Sequence, residues 1–182
     1  NLLALDRKDL QKIAVIGSNA NSKACLFGMK YHNDITPMTT VLEGIQEIAE
    51  PEIEVQHVVA GNKSEFTKAR NVAENSDVAV MVLGETAVSP KTRQEVVDKN
   101  VNVGEGVDRA SLQLPGIQNE LLKKIGNTGT PVVLVLINGR PLAIPWAASH
   151  VPAIIESWEP GEEGGTAIAR ALFGKYNPGG KL

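Results

Sequence analysis

The stretch Asp77-Val78-Ala79-Val80-Met81-Val82-Leu83-Gly84 constrains the fold more than any other in the chain. It is apolar at every position between an acid and a glycine. It has the length of a strand, and no polar residue marks a solvent-facing side. Continuous apolar runs of this kind belong to strands covered on both faces, the habit of parallel sheets. Shorter runs of the same character recur at Lys12 to Gly17 and Pro131 to Ile137, and Glu54 to Ala60, with the β-branched Val55, Val58 and Val59, and Ala153 to Trp158 read as two further strands. Between them lie helical patterns. Thr39 or Thr40 caps one that runs through Glu50, with Val41, Leu42, Ile45 and Ile48 on one face. Ser64 caps a second through Asn75, and Pro115 opens a third that ends at Gly126 or Gly129. Pro145 to Ala148 is a short helical turn, and the last helix spans Thr166 to Phe173. Strands alternating with helices build right-handed βαβ units. The expected fold is therefore α/β: a three-layer α/β/α sandwich around a mainly parallel, doubly wound sheet.

The 182 residues suit a single domain, with residues 1–11 as a lead-in and residues 175–182 as a tail. In the lead-in, Leu2, Leu3 and Leu5 are placed to lie across a core edge. The net charge of −3 comes with acids and bases interleaved, so the basic footprint of a nucleic-acid partner is missing. Aromatics make up 4%, too few for a base-stacking platform. No apolar run is long enough to span a membrane as a helix. With Cys25 as the one cysteine, no internal disulfide can form. The abrupt start at Asn1 and stop at Leu182 read as a piece of something longer.

Several cofactor signatures fail on inspection. A dinucleotide fingerprint after the first strand would need glycines where Asn19 and Ser22 stand, and Gly104-x-Gly106 is followed by Arg109. There is no Walker loop and no Gly-x-Ser-x-Gly elbow. His32, His57 and His150 are scattered singly, which does not suit a zinc site. The expected cofactor and metal complement is none. The acid pair Glu162-Glu163 precedes a helix, where negative charge favours the dipole.

The most unusual connection runs from Glu85 to about Leu112. Connections in compact domains have a median of about 4–6 residues, so one this long points to function. Inside it lies Val103-Gly104-Glu105-Gly106-Val107-Asp108-Arg109. Glycines on both sides leave Glu105 presented rather than packed, and let another molecule approach. Arg109 offers a rigid fork of donors suited to a carboxylate or a sugar hydroxyl. Glu105 is a candidate proton donor. A solvated turn with an ordinary salt bridge accounts for the same residues, and spacing alone does not separate the two.

Three further stretches resemble the second domain of the family 3 glycoside hydrolases. They are Leu134-Val135-Leu136-Ile137-Asn138-Gly139-Arg140-Pro141-Leu142, Glu156-Ser157-Trp158-Glu159-Pro160-Gly161-Glu162-Glu163-Gly164-Gly165, and Leu172-Phe173-Gly174-Lys175-Tyr176-Asn177-Pro178-Gly179-Gly180-Lys181-Leu182. The opening Lys12 to Ala20 and the segment from Asp108-Arg109 to Leu114-Pro115-Gly116 are similar too, so the resemblance spans nearly the whole chain. Gly179 departs from it, standing where the family often has Ser. The resemblance implies a carbohydrate substrate and a retaining β-glycosidase, β-glucosidase-like, whose N-terminal (β/α)8 barrel in the same polypeptide supplies the aspartate nucleophile. It implies that this domain supplies the acid/base glutamate on a loop. Glu105 is the first choice for it and Glu85, at the end of the third strand, the second; as a structural residue Glu85 would make a strand-end hydrogen bond. Phe27 and Tyr31, after the first strand, are the aromatics the resemblance places near the leaving group. Arg109 joins them as a candidate substrate-binding residue, though holding the loop is its other role. The family's members are often exported, so periplasm or secretion is the implied location. The alternative is a non-catalytic, flavodoxin-like ligand-binding or regulatory module using the same strand ends.

Overall fold

The central strands form where the sequence is apolar on both faces, and successive side chains of each strand go to opposite layers. The computed structural model describes residues 2–26, 37–86 and 109–180. It has five strands, β1 (Lys12–Ile16), β2 (Glu54–Val58), β3 (Val78–Gly84), β4 (Val132–Ile137) and β5 (Ala153–Glu156). They form one sheet in the order β2-β1-β3-β4-β5, and every pairing is parallel. Helices α1 (Val41–Ala49), α2 (Phe66–Glu74), α3 (Gln118–Gly126), α4 (Pro145–His150) and α5 (Gly164–Leu172) cover it.

Strand β3 sends Val78, Val80 and Val82 to one core and Ala79, Met81 and Leu83 to the other. The first core is closed by Val41, Leu42, Ile45 and Ala49 of α1 and by Ile168, Ala169 and Leu172 of α5. The second is closed by Phe66, Ala69 and Ala73 of α2, and by Leu121, Leu122 and Ile125 of α3. The three-layer α/β/α sandwich and the doubly wound parallel sheet are thus as the apolar runs predict.

The lead-in is part of the core. Leu5 is buried, and its N–H donates to the Leu172 carbonyl at 2.8 Å. Leu2 and Leu3 pack against the same cluster.

Three helix starts differ from the sequence reading, each for a local reason. Ser64 does not cap α2. Asn62 accepts from the Ser64 N–H at 3.0 Å and caps a 3-10 turn at Lys63–Glu65, which delays α2 to Phe66. Pro115 lies outside α3, because Gly116 takes a left-handed φ of 58° and the helix starts only at Gln118. Helix α5 begins at Gly164, ahead of Thr166, because its first turn is pressed against α1. A Cβ on Gly165 would stand 2.1 Å from the Thr40 carbonyl oxygen. Strands β2 and β5 end earlier than the sequence reading has them, each shortly before a residue of left-handed φ, Ala60 at 50° and Trp158 at 52°. Thr40 caps α1 as expected, in a full capping box with Glu43.

Candidate active site at the carboxyl edge of the sheet

In a parallel sheet of this order the chain reverses direction across the sheet between β1 and β3, and the crevice at the carboxyl ends there is where ligands sit. The local sequence shapes that edge through two glycines. Gly17 after β1 has φ 130°, and Gly84 at the end of β3 has φ 126°. A Cβ on Gly17 would lie 2.1 Å from the Val82 carbonyl oxygen, and one on Gly84 would lie 2.1 Å from that of Ile137. Each strand end therefore folds down against its neighbour, β1 onto β3 and β3 onto β4.

Polar side chains buried at this edge satisfy the backbone groups the strands leave behind. Gln118, on the buried face of α3, accepts from the Gly84 N–H and donates to the Gly84 carbonyl, both at 2.8 Å. Asn19 donates to the Glu85 carbonyl at 3.2 Å and accepts from the Thr86 hydroxyl at 2.9 Å. Asn138 donates to the Arg140 carbonyl at 3.0 Å. Asn19, Gln118 and Asn138 are all at least 97% buried, so none is a surface turn residue.

Glu85 stands at the centre. Its N–H donates to the Ile137 carbonyl at 2.8 Å. Its side chain is 2% exposed and faces two guanidinium groups. Arg109 Nη1 donates to Oε1 at 2.6 Å. Arg140 Nε lies 3.3 Å from Oε2, an ion-pair distance, while Oε2 itself makes no hydrogen bond of good geometry. The Arg140 contact is thus electrostatic, and the Arg109 contact is the formed bond. Arg109 Nη2 donates to the Gln113 carbonyl at 2.7 Å, and Gln113 pairs with Ala143 in an isolated parallel bridge.

The other predicted site residues divide sharply. Glu105, Phe27 and Tyr31 lie outside the described residues, as does Asp108. Glu85 and Arg109 are brought together, and the carboxylate that Arg109 binds is Glu85. Asn19, Gln118, Asn138 and Arg140 were missed as site residues. The available signal was a Gln on an otherwise apolar helix face and an Asn within three residues of the end of two strands.

A groove of about 880 Å³ lies along β5 between Ile154, Glu156, Trp158 and Tyr176. Burial lifts the Glu156 carboxyl above the ordinary carboxylate range, against hydrogen bonds from the Trp158 N–H and the Asn138 side chain. Among the described residues no group of three or more His, Cys, Asp or Glu is arranged to hold a metal ion. No helix among them is long and apolar enough to cross a membrane.

Comparison with known proteins gives this edge its context. A β-xylosidase of Formosa agariphila is 38% identical over all of this chain, which covers 25% of that protein. A periplasmic β-glucosidase of Salmonella typhimurium is 33% identical, again over the whole chain and 25% of the relative. The β-glucosidase of Listeria innocua in complex with isofagomine superposes with a TM-score of 0.80 at 32% identity, over 100% of this chain and 23% of that one. The chain therefore spans about a quarter of the length of the curated relatives it matches. The profile of the glycosyl hydrolase family 3 C-terminal domain matches residues 1–182 from end to end, and the chain belongs to that family.

Proposed function

We propose that this domain contributes the acid/base glutamate, Glu105, to the active site of a retaining β-glycosidase acting on β-linked glucosides or xylosides. The other half of the site would come from a (β/α)8 barrel in the same polypeptide, which carries the aspartate nucleophile. Retention needs two carboxyl groups about 5–5.5 Å apart, one attacking the anomeric carbon and one protonating the leaving oxygen. The observation that carries the choice of Glu105 is the state of its rival. Glu85 is buried and engaged by Arg109 and Arg140, so its carboxylate already has its partners inside the domain. A general acid must reach the leaving oxygen, and a carboxyl group 2% exposed and bonded to Arg109 would have to give up that bond to do so. Arg109 is likewise committed, to Glu85 and to the Gln113 carbonyl, which supports a loop-holding role over sugar binding. Phe27 or Tyr31 would supply an aromatic face on the leaving-group side, where a ring buries the C–H surface of a sugar.

In the first step Glu105 donates its proton to the glycosidic oxygen as the nucleophile attacks. In the second it takes a proton from water as the glycosyl-enzyme is opened. The test is Glu105→Gln in the full-length enzyme. An alkyl glycoside should lose roughly 10²–10⁴-fold in turnover, while an activated aryl glycoside keeps its glycosylation rate. Azide, a nucleophile that needs no deprotonation, should restore turnover of the activated substrate. Wild-type behaviour of this variant on the alkyl glycoside refutes the assignment.

A further inference from the structure

Glu85 precedes, and Arg109 follows, the segment 87–108 that carries Glu105. A 2.6 Å bond between their side chains therefore joins the two ends of that segment. The joint is tied to the sheet on every side. The Glu85 N–H is held by Ile137 of β4, its carbonyl by Asn19 from the end of β1, and its carboxylate also by Arg140 from the end of β4. Arg109 is fixed further by the Gln113 carbonyl, and Leu112 by the Ala143 N–H at 2.7 Å.

Stability alone gives little reason for such a joint. Desolvating the charges offsets much of their attraction, and apolar residues of similar volume often serve as well in a core. What an ion pair adds at such a place is a defined geometry, because a guanidinium fork accepts few arrangements of a carboxylate.

We infer that Glu85 is a positioning residue: with Arg109 and Arg140 it sets where the ends of segment 87–108 stand on the carboxyl edge of the sheet, and so where Glu105 is presented. Glu105 is four residues before Arg109, a span of at most ~14 Å of extended chain, so the place of Arg109 bounds where Glu105 can stand. The inference rests on the reading of Glu105 as the acid/base group. Glu85 acts through Glu105 and does not itself touch the sugar.

The experiment compares Glu85→Gln, Glu105→Gln and the double variant in the full-length enzyme, on an alkyl and on a dinitrophenyl glycoside, with and without azide. Glu85→Gln should lower kcat on the alkyl glycoside by ~10²-fold, the scale of a misplaced reacting group. On the dinitrophenyl glycoside it should spare the glycosylation rate, while the second step, which uses the same Glu105 as base, slows and is relieved by azide. The double variant should be no slower than Glu105→Gln alone, because a missing acid cannot be misplaced. Equal losses of glycosylation rate on both substrates that add in the double variant overturn it as general damage, and wild-type kcat overturns it outright. If Glu105→Gln shows the acid pattern and Glu85→Gln does not, positioning alone fails. If Glu105→Gln behaves like wild type, the acid reading fails and takes positioning with it. Should Glu85→Gln not fold, Arg109→Lys keeps the charge and loses the fork. It should show the same dependence on leaving group at smaller size, and a loss equal on both substrates refutes the idea.

Discussion

Gly84 shows how much one residue without a side chain decides here. Its φ of 126° aims the chain from β3 down onto β4, and a Cβ would meet the Ile137 carbonyl oxygen at 2.1 Å. That turn delivers Glu85 to Arg109 and Arg140. Gly84→Ala combines left-handed strain with a backbone clash that no rotamer relieves, so it should cost about 2–3 kcal/mol in chemical denaturation. An unchanged midpoint would mean the strand end is not held as described. At the opposite end of the sheet, Asp77 accepts from the N–H groups of Gln11 and Lys12 at 2.7 and 2.8 Å, joining the start of β1 to the start of β3. These bonds hold its carboxyl below the ordinary 3.8. A lowered carboxyl contributes stability above its unfolded value and loses it as the pH falls through the folded one. Asp77→Ala should therefore cost about 1 kcal/mol or less near neutrality, since the group is exposed. The gap from wild type should close as the pH drops below 3.8. Denaturation curves at pH 7 and pH 3 check this, and a gap that widens in acid refutes it.

Among the elements, the contact of α1 with α5 depends on two glycines facing each other. A Cβ on Gly44 would lie 2.5 Å from the Gly165 carbonyl oxygen, and one on Gly165 would lie 2.1 Å from that of Thr40. The helices meet backbone to backbone, and the Gly165 N–H donates to the Thr39 carbonyl at 3.1 Å. Gly165→Ala should push the helices apart and cost about 1–3 kcal/mol, despite the higher helix propensity of alanine. A gain in melting temperature would show that propensity wins over packing. The same contact explains why the start of α5 was not legible in the sequence. Two adjacent glycines read as lying before the helix, and only the contact with the partner helix shows that they form its first turn. The strands were legible because β1, β3 and β4 are buried on both faces, which leaves an unbroken apolar run in the sequence. The site was legible only in its charged members. Glu85 and Arg109 stand out in any reading, but their pairing with each other and with Arg140 depends on β3 and β4 being neighbours. Asn19, Gln118 and Asn138 carry no such mark, since buried amides have the composition of turns until their backbone partners are known.

At the scale of the whole molecule, stability and chemistry separate. The sheet closes two cores, with α1 and α5 on one face and α2 and α3 on the other, and the lead-in seals one edge through Leu5. Nothing in those cores needs a second domain to be buried, so the chain should fold alone and unfold in one cooperative step. The catalytic machinery of a retaining glycosidase is a different matter, since it needs a nucleophile and an acid held about 5–5.5 Å apart. The one carboxylate described at the carboxyl ends of β1 and β3, Glu85, is engaged with arginines, and Glu105 would meet its nucleophile only across an interface with the barrel. The relatives of known activity are about four times as long as this chain, which covers 25% of each. An acid without its nucleophile forms no glycosyl-enzyme, and general acid catalysis alone contributes only about 10²–10⁴-fold, far below what glycosidic cleavage requires. The purified domain should therefore give a single sharp thermal transition by circular dichroism. Incubated with nitrophenyl β-glucoside and nitrophenyl β-xyloside, it should release nitrophenol no faster than a Glu105→Gln control. Turnover well above that control would place a complete pair of carboxyl groups inside this domain and defeat the shared-site reading.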